Sequence, residues 1–286
     1  MTPAAPDPAA SAPGTAAAPH QRARGTLRLS FKQRGTATVL DTLRQEGCLK
    51  VRFPRTERAA WPGAVTLNTA GGVAGGDVLD STIAAGPGAQ ATIASQAAER
   101  FYRALPASAP AAVTTRLALA PGAALEWLPQ ETILFNACAL QRRLLVDLAE
   151  DARFLGVESL VFGRTAMGET VEHARIRDLI QLRRAGRLVL HDAIRLDGPV
   201  QPLLDRRATG GGARAVATLV LAAPDSAARL DPLRAALAPW GAGASAWDNL
   251  LVARVTAPNG ACLRRAVVAG LAALRDGRPL PRVWEC

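Results

Sequence analysis

Aromatic side chains are scarce in this sequence. Only 4% of its 286 residues are Phe, Trp or Tyr, and there is one tyrosine, so few rings are available for the base-stacking platforms that read single-stranded nucleic acid. Lysine is nearly missing: of 34 basic residues only Lys32 and Lys50 are lysines. Long apolar runs are missing too. The longest strongly apolar stretch, near Ala215–Ala223, is far short of the roughly 20 residues a membrane-spanning helix requires. Cys48, Cys138, Cys262 and Cys286 form no C-x-x-C pair, which argues against a disulfide framework or zinc site and for isolated thiols in a reducing cytosol. His20, His173 and His191 form no H-x-x-x-H or H-E-x-x-H pattern, and no G-x-S-x-G occurs, so the chain has no evident catalytic machinery and no tightly bound cofactor is expected.

What is present describes a globular, mainly β protein. With 49% hydrophobic residues the chain is too apolar for disorder, and its length allows it to bury roughly 75% of its unfolded surface without covalent staples. Residues 1–24 are Ala/Pro-rich and lack the apolar core of a signal peptide, so they read as a disordered leader ahead of a single β-rich domain over 25–286. The formal charge is +10, and most of the excess lies between Arg22 and Arg58, where ten basic residues meet three acidic ones. Such a region suits a polyanionic partner. Because only Phe31 and Phe53 accompany those charges, an acidic protein partner docking at Arg52, Arg55 and Arg58 is the favoured reading. A basic β-rich RNA-binding or general adaptor module is the alternative.

Short segments that alternate apolar and polar residues begin at Thr26: Thr26–Phe31, Thr36–Leu43, Cys48–Phe53, Ala89–Ala94, Val113–Leu119, Leu140–Leu148 and Leu250–Thr256. Period-two patterning between Gly, Pro and Asp turns predicts strands. A weak repeat of about 30 residues places Gly88-Ala89, Gly122-Ala123 and Asp151-Ala152 at equivalent turns. That spacing predicts stacked β-strands of β-helix-like, solenoid-like form, with three similar hairpins in a sandwich as the alternative. Helices are expected only near the C-terminal end, over 225–237 with Asp225 as N-cap, and over 262–274 before Asp276-Gly277.

Three local motifs stand out. Gly71-Gly72-Val73-Ala74-Gly75-Gly76-Asp77-Val78-Leu79-Asp80 carries two Gly-Gly pairs but neither phosphate-binding glycine pattern, so it reads as a tight corner that could hold the Asp77 carboxylate. Leu125-Glu126-Trp127-Leu128-Pro129-Gln130-Glu131-Thr132-Ile133 sets carboxylates among strand formers, where they either face water or are buried with a partner. Gly163-Arg164-Thr165-Ala166-Met167-Gly168-Glu169 brackets an Arg with glycines and ends on a Glu.

Taken in order, with Arg100-Phe101-Tyr102-Arg103 and the closing Pro281-Arg282-Val283-Trp284, these motifs resemble the urease accessory protein D family (UreD, also called UreH). The resemblance runs from about Gly71 to Trp284. It implies stacked β-strands with a couple of helices near the C-terminal end, and a cytoplasmic protein that is not an enzyme. It further implies partners, namely the urease apoprotein, UreF and the GTPase UreG, in an assembly that delivers nickel to the urease active site. Transient Ni²⁺ within an internal polar passage follows from the same resemblance. Sparse carboxylates suit such a passage, because thiolate or imidazole sites hold Ni²⁺ more tightly. Asp77, Glu131 and Glu169 are the passage-lining residues expected first, followed by Asp80 and Asp192.

Overall fold

In a computed structural model, which describes residues 21–55, 61–106, 108–164 and 167–285, the alternating segments become the strands of two sheets. The first sheet runs, side by side, β14 (Arg187–Pro199), β13 (His173–Arg184), β11 (Ala139–Leu148), β8 (Ala111–Leu119), β5 (Val78–Ala85), β1 (Arg24–Arg34) and β2 (Ala37–Gly47). The second runs β16 (Gly241–Trp247), β17 (Leu250–Ala257), β15 (Ala215–Ala222), β12 (Arg153–Phe162), β9 (Ala124–Leu128), β6 (Gln90–Ser95), β4 (Gly63–Asn68) and β3 (Leu49–Arg52). The short strands β7 (Glu99–Phe101) and β10 (Thr132–Leu134) run parallel to one another, with β10 also parallel to β12. Both sheets are open. Their centres are parallel, and antiparallel pairs such as β1/β2, β13/β14 and β16/β17 occupy the edges.

The repeat found in the sequence explains that arrangement. Its turns join β5 to β6, β8 to β9 and β11 to β12, so each turn carries the chain from one sheet to the other. The strands flanking a turn do not pair with each other. Each pairs in parallel with its counterpart in the next repeat. The hairpin alternative is therefore excluded. The corners stack through backbone bonds, with Ala124 N donating to Ala89 O and Arg153 N to Ala123 O, both at 2.9 Å. Gly88 and Gly122 adopt φ of 66° and 68°, which favours glycine. At the third corner Asp151 accepts instead from Gly122 N, at 3.0 Å. Beneath these turns Ala89, Ala123 and Ala152 form a sealed column of methyl groups at 0%, 1% and 0% exposure.

The main core lies between the sheets and includes Leu27, Phe31, Ile83, Leu117, Leu140 and Leu182 from one side and Ile93, Leu125, Phe154, Leu160 and Phe162 from the other. The second sheet is covered on its far face as well, by α2 (Leu230–Leu237) and α3 (Gly260–Leu274). Burial on both faces explains why Phe154–Phe162 is buried throughout instead of alternating. In α3, Leu263, Val267, Leu271 and Leu274 share one buried face, and the Asn259 side chain caps the helix by accepting from Cys262 N at 2.9 Å. The helix expected over 225–237 splits into a 3₁₀ turn, Ser226–Arg229, and α2. Asp225 does not cap it, because its carboxylate is taken by Arg153 and Arg229. A short α1 (Val200–Asp205), not anticipated from periodicity, buries Val200 and Leu204. No helix among the described residues is long and apolar enough to cross a membrane.

The outer face of the first sheet meets water, and its strands alternate accordingly. From it project Arg24, Arg28, Arg44, Arg116, Arg143, Arg175, Arg177, Arg183 and Arg195, all exposed. Acidic residues are fewer there, with Asp41, Glu46, Asp80, Asp147 and Asp197 on the same strands. The predicted basic segment thus lies partly on this face, through β1 and β2, and partly on β3 at the edge of the second sheet.

The alanine column yields a direct test. Ala123→Leu forces branched bulk between Ala89 and Ala152 and is expected to lower stability by about 1–3 kcal/mol, read as an earlier urea midpoint. An unchanged midpoint would show that the corners are not close-packed.

Candidate functional site

Charged side chains occupy two places that the hydrophobic pattern alone would have filled with apolar ones. The first lies between the sheets. Arg142 and Asp178 are direct register partners on β11 and β13, and alternation turns both inward. The guanidinium makes a bidentate pair with Asp178, Nε to Oδ1 at 2.8 Å and Nη2 to Oδ2 at 2.7 Å. Its Nη1 reaches across to the second sheet, donating to Thr132 Oγ1 at 2.7 Å and pairing with Glu158 Oε2 at 2.7 Å. Trp127 Nε1 donates to Glu158 Oε1 at 2.9 Å. Arg142, Asp178 and Glu158 are 8%, 6% and 7% exposed.

One guanidinium faces two carboxyl groups, so this buried group holds a negative charge in excess only while both are ionised. Burial pushes the Glu158 carboxyl above the usual carboxylate range; Arg142 opposes the shift and the Asp178 carboxylate reinforces it. The group borders a cavity of about 360 Å³, whose polar wall includes Asn68, Glu99, Thr115, Thr132, Arg142 and Glu158. Gly71 and Gly72 line the same cavity, which places the glycine corner beside it. Gly72 has φ of 142°, and a Cβ there would lie 2.3 Å from the Tyr102 ring, so any side chain would displace that ring. Asn68 Nδ2 donates to Gly72 O and to Glu99 Oε2, both at 3.2 Å. Burial raises the Glu99 carboxyl as well, against these hydrogen bonds.

The second charged place lies on the far side of the second sheet. Glu126, 1% exposed, accepts from Thr92 Oγ1 at 2.6 Å, from Arg275 Nε and Nη2 at 3.1 and 2.8 Å, and from Arg278 Nη2 at 2.9 Å. Arg275 follows the last turn of α3, so the pair pins the end of that helix to β9. Next to it, Trp284 Nε1 donates to Leu128 O at 3.0 Å and Arg264 Nη2 donates to Trp284 O at 2.8 Å. The Leu125–Ile133 motif and the closing Pro281–Trp284 motif are therefore packed together.

None of the five carboxylates expected from the sequence lies on the cavity wall. Asp77 is buried and accepts from Ala23 N at 2.8 Å and Ala74 N at 2.7 Å, so it fastens the glycine corner to the start of β1. Glu131 pairs with Arg264 at 3.2 Å, Glu169 with Arg164 at 2.7 Å, Asp80 with Arg116 at 2.6 Å and Asp192 with Arg254 at 2.6 Å. These pairs are distributed over both sheets and do not converge. Among the described residues no cluster of His, Cys, Asp and Glu could hold a metal ion. Thiolate ligation is disfavoured too, since burial pushes the Cys138 thiol up to about 12 and raises that of Cys48. Arg52 and Arg55 are exposed; Arg58 lies outside the described residues.

Glu99, Arg142, Glu158 and Asp178 were not singled out from the sequence. Glu158 did carry a signal, as the one charge within Gly156–Phe162. Arg142 and Asp178 sit 36 positions apart and become neighbours only through strand register.

The Glu126 clamp has a defined pH signature. Burial alone would raise its carboxyl, but Arg275, Thr92 and Arg278 hold it below the usual value of 4.5. Its stabilising contribution is complete above that value and is lost as pH falls through the lowered one. Glu126→Gln is expected to cost about 3–5 kcal/mol at neutral pH by leaving Arg275 buried without its counter-ion. The difference from the unsubstituted chain should shrink as the medium is acidified, measured by urea denaturation; a gap that widens on acidification would contradict this sign.

Comparison with known proteins agrees with the order of the motifs. Residues 23–285 match the UreD urease accessory protein family. The chain is 48% identical over 274 residues to the urease accessory protein UreD of Methylobacterium sp. (strain 4-46), covering 93% of this chain and 95% of that protein. It is 44% identical over 265 residues to UreD of Rhizobium leguminosarum bv. viciae, covering 93% and 96%. Against UreD of Xanthobacter autotrophicus it is 46% identical over 268 residues, covering 92% and 90%. The chain belongs to the UreD urease accessory protein family, a family of accessory proteins and not of enzymes.

Proposed function

We propose that this chain acts in the cytoplasm as a scaffold in urease maturation. It binds the urease apoprotein and, with UreF and the GTPase UreG, supports insertion of nickel into the urease active site. We further propose that Ni²⁺, as cargo, passes transiently through the polar cavity between the sheets. The stacked repeats form a solenoid-like body around that route. One observation carries the reading: a cavity of about 360 Å³ inside a β body, bordered by the carboxyl groups of Glu99 and Glu158, beside a buried group in which two carboxyls share one guanidinium.

The chemistry suits passage better than storage. A divalent cation entering the cavity would meet oxygen donors singly and not as a chelating set. Nickel binds N and S ligands more firmly than carboxylates, so a wall of hydroxyl, amide and carboxylate oxygens would release it readily. Two carboxyl groups to one guanidinium favour a cation over an anion, the cation taking the place of the Glu158 proton, and Arg142 tempers that attraction.

Co-expression with the urease subunits, UreF and UreG, followed by pull-down and nickel analysis, tests the proposal. Glu99→Gln and Glu158→Gln should lower the nickel content of urease several-fold while the complexes still assemble. The sequence-derived carboxylates Asp77, Glu131, Glu169, Asp80 and Asp192 provide the comparison. Ala substitutions at Asp77 and Glu169 act through the glycine corner and the Arg164 pair, so they should affect folding before nickel loading. Unchanged nickel in both Gln variants would remove the cavity from the route, and failure to recover any urease subunit with the folded chain would sink the scaffold role.

A further inference from the structure

We infer that the outer face of the first sheet docks an acidic surface of a folded partner protein, whose carboxylates seat between arginines of neighbouring strands. This does not depend on the nickel route or on the identity of the partner.

The register of the sheet places like charges opposite one another. Arg28 faces Arg44 across β1/β2, and Arg177 faces Arg195 across β13/β14. Directly opposed like charges destabilise a sheet. Arg44 is offset by Glu46 at 2.7 Å. Among the described residues Arg177 and Arg195 have no ion-pair partner, and both are exposed. The sheet thus carries an unfavourable pair that nothing in the fold requires, and a bound carboxylate would convert that repulsion into attraction. The place is also shaped to receive one. A cleft of about 280 Å³ opens there, lined by Gln141, Arg175, Arg177, Arg195 and Asp197; Asp197 faces Arg175 in register, which leaves Arg177 and Arg195 as the unmatched charges. The Arg175 guanidinium is held by a bond from Nη2 to Ser108 O at 3.1 Å.

The occupant follows from what surrounds the arginines. The side chains between them on this face include Thr82, Thr114, Leu145 and Leu179; among the described residues no Phe, Trp or Tyr ring projects from it, and the imidazoles of His173 and His191 lie towards its β13/β14 edge. Single-stranded nucleic acid needs stacking partners. A broad sheet face with dispersed guanidiniums instead matches a protein surface with dispersed carboxylates, to which arginine binds in bidentate fashion. The exposed Arg52 and Arg55 lie at the end of β3, in the second sheet, and belong to a different surface.

Charge reversal in the full chain tests the assignment, with fluorescent poly-L-glutamate as the probe. The triple variant Arg143→Glu/Arg177→Glu/Arg195→Glu should bind it roughly tenfold or more weakly, with the wild-type affinity falling steeply as salt rises. A control of equal net charge, Arg206→Glu/Arg207→Glu/Arg265→Glu, alters exposed arginines elsewhere and should bind nearly as the wild type. The single variant Arg177→Glu turns an opposed like pair into an ion pair, so its melting temperature should be unchanged or higher. It reports on the face if the triple variant does not fold. Equal weakening by both triple variants would reduce the effect to net charge and overturn the proposal. So would tighter binding of an RNA oligomer of equal charge than of poly-L-glutamate.

Discussion

Parallel pairing between successive repeats is the constraint on which the rest of this structure depends. A central strand that pairs in parallel with its counterparts on both edges, as β8 does with β5 and β11 and β9 with β6 and β12, has no edge left for its neighbour across the turn, so the chain crosses between sheets at each of these corners. Corners then stack on corners, which admits only small residues such as Ala89, Ala123 and Ala152 beneath them. Two facing sheets built this way enclose space along the whole body. Apolar side chains fill most of it, and the charged group around Arg142 occupies the part next to the cavity.

The second consequence concerns charge. The middle of the second sheet is covered on both faces, so the carboxylates of β9 and β12 must be paired, and Glu126 and Glu158 are the two outcomes. Glu126 has two arginines and a threonine, and serves as a clamp on the end of α3. Glu158 shares a single arginine with Asp178, which leaves a site that favours a proton or a cation at the cavity wall. The same residue type in the same sheet is fully matched by guanidiniums in one place and under-matched in the other, and the count of neighbouring guanidiniums decides which.

Much of the fold was legible as pattern. Period-two alternation marked the strands of the first sheet because only one of its faces is buried, and the Gly/Asp-Ala corners marked the repeat. Pairing was not legible, since an alternating strand reads alike whether its partner is the next repeat or the strand across the turn. Three-residue strands such as β7 and β10 are too short for any period to show. In the site, the glycine corner drew attention to Asp77, whose carboxylate accepts from backbone amides that tie the corner to the start of β1. Carboxylates inside recognisable motifs drew attention first, whereas Arg142, Glu158 and Asp178 sit in ordinary strands and acquire meaning only from register and from the approach of the other sheet.

Crystals of the chain soaked in Ni²⁺ and measured across the nickel absorption edge give the most direct test of a carboxylate-lined cavity as a route for the ion. Anomalous density is expected in the cavity beside Glu99 and Glu158, at partial occupancy, and should disappear in the Glu99→Gln/Glu158→Gln double variant. Density confined to surface histidines and carboxylates, with the cavity free of nickel at saturating concentration, would contradict it.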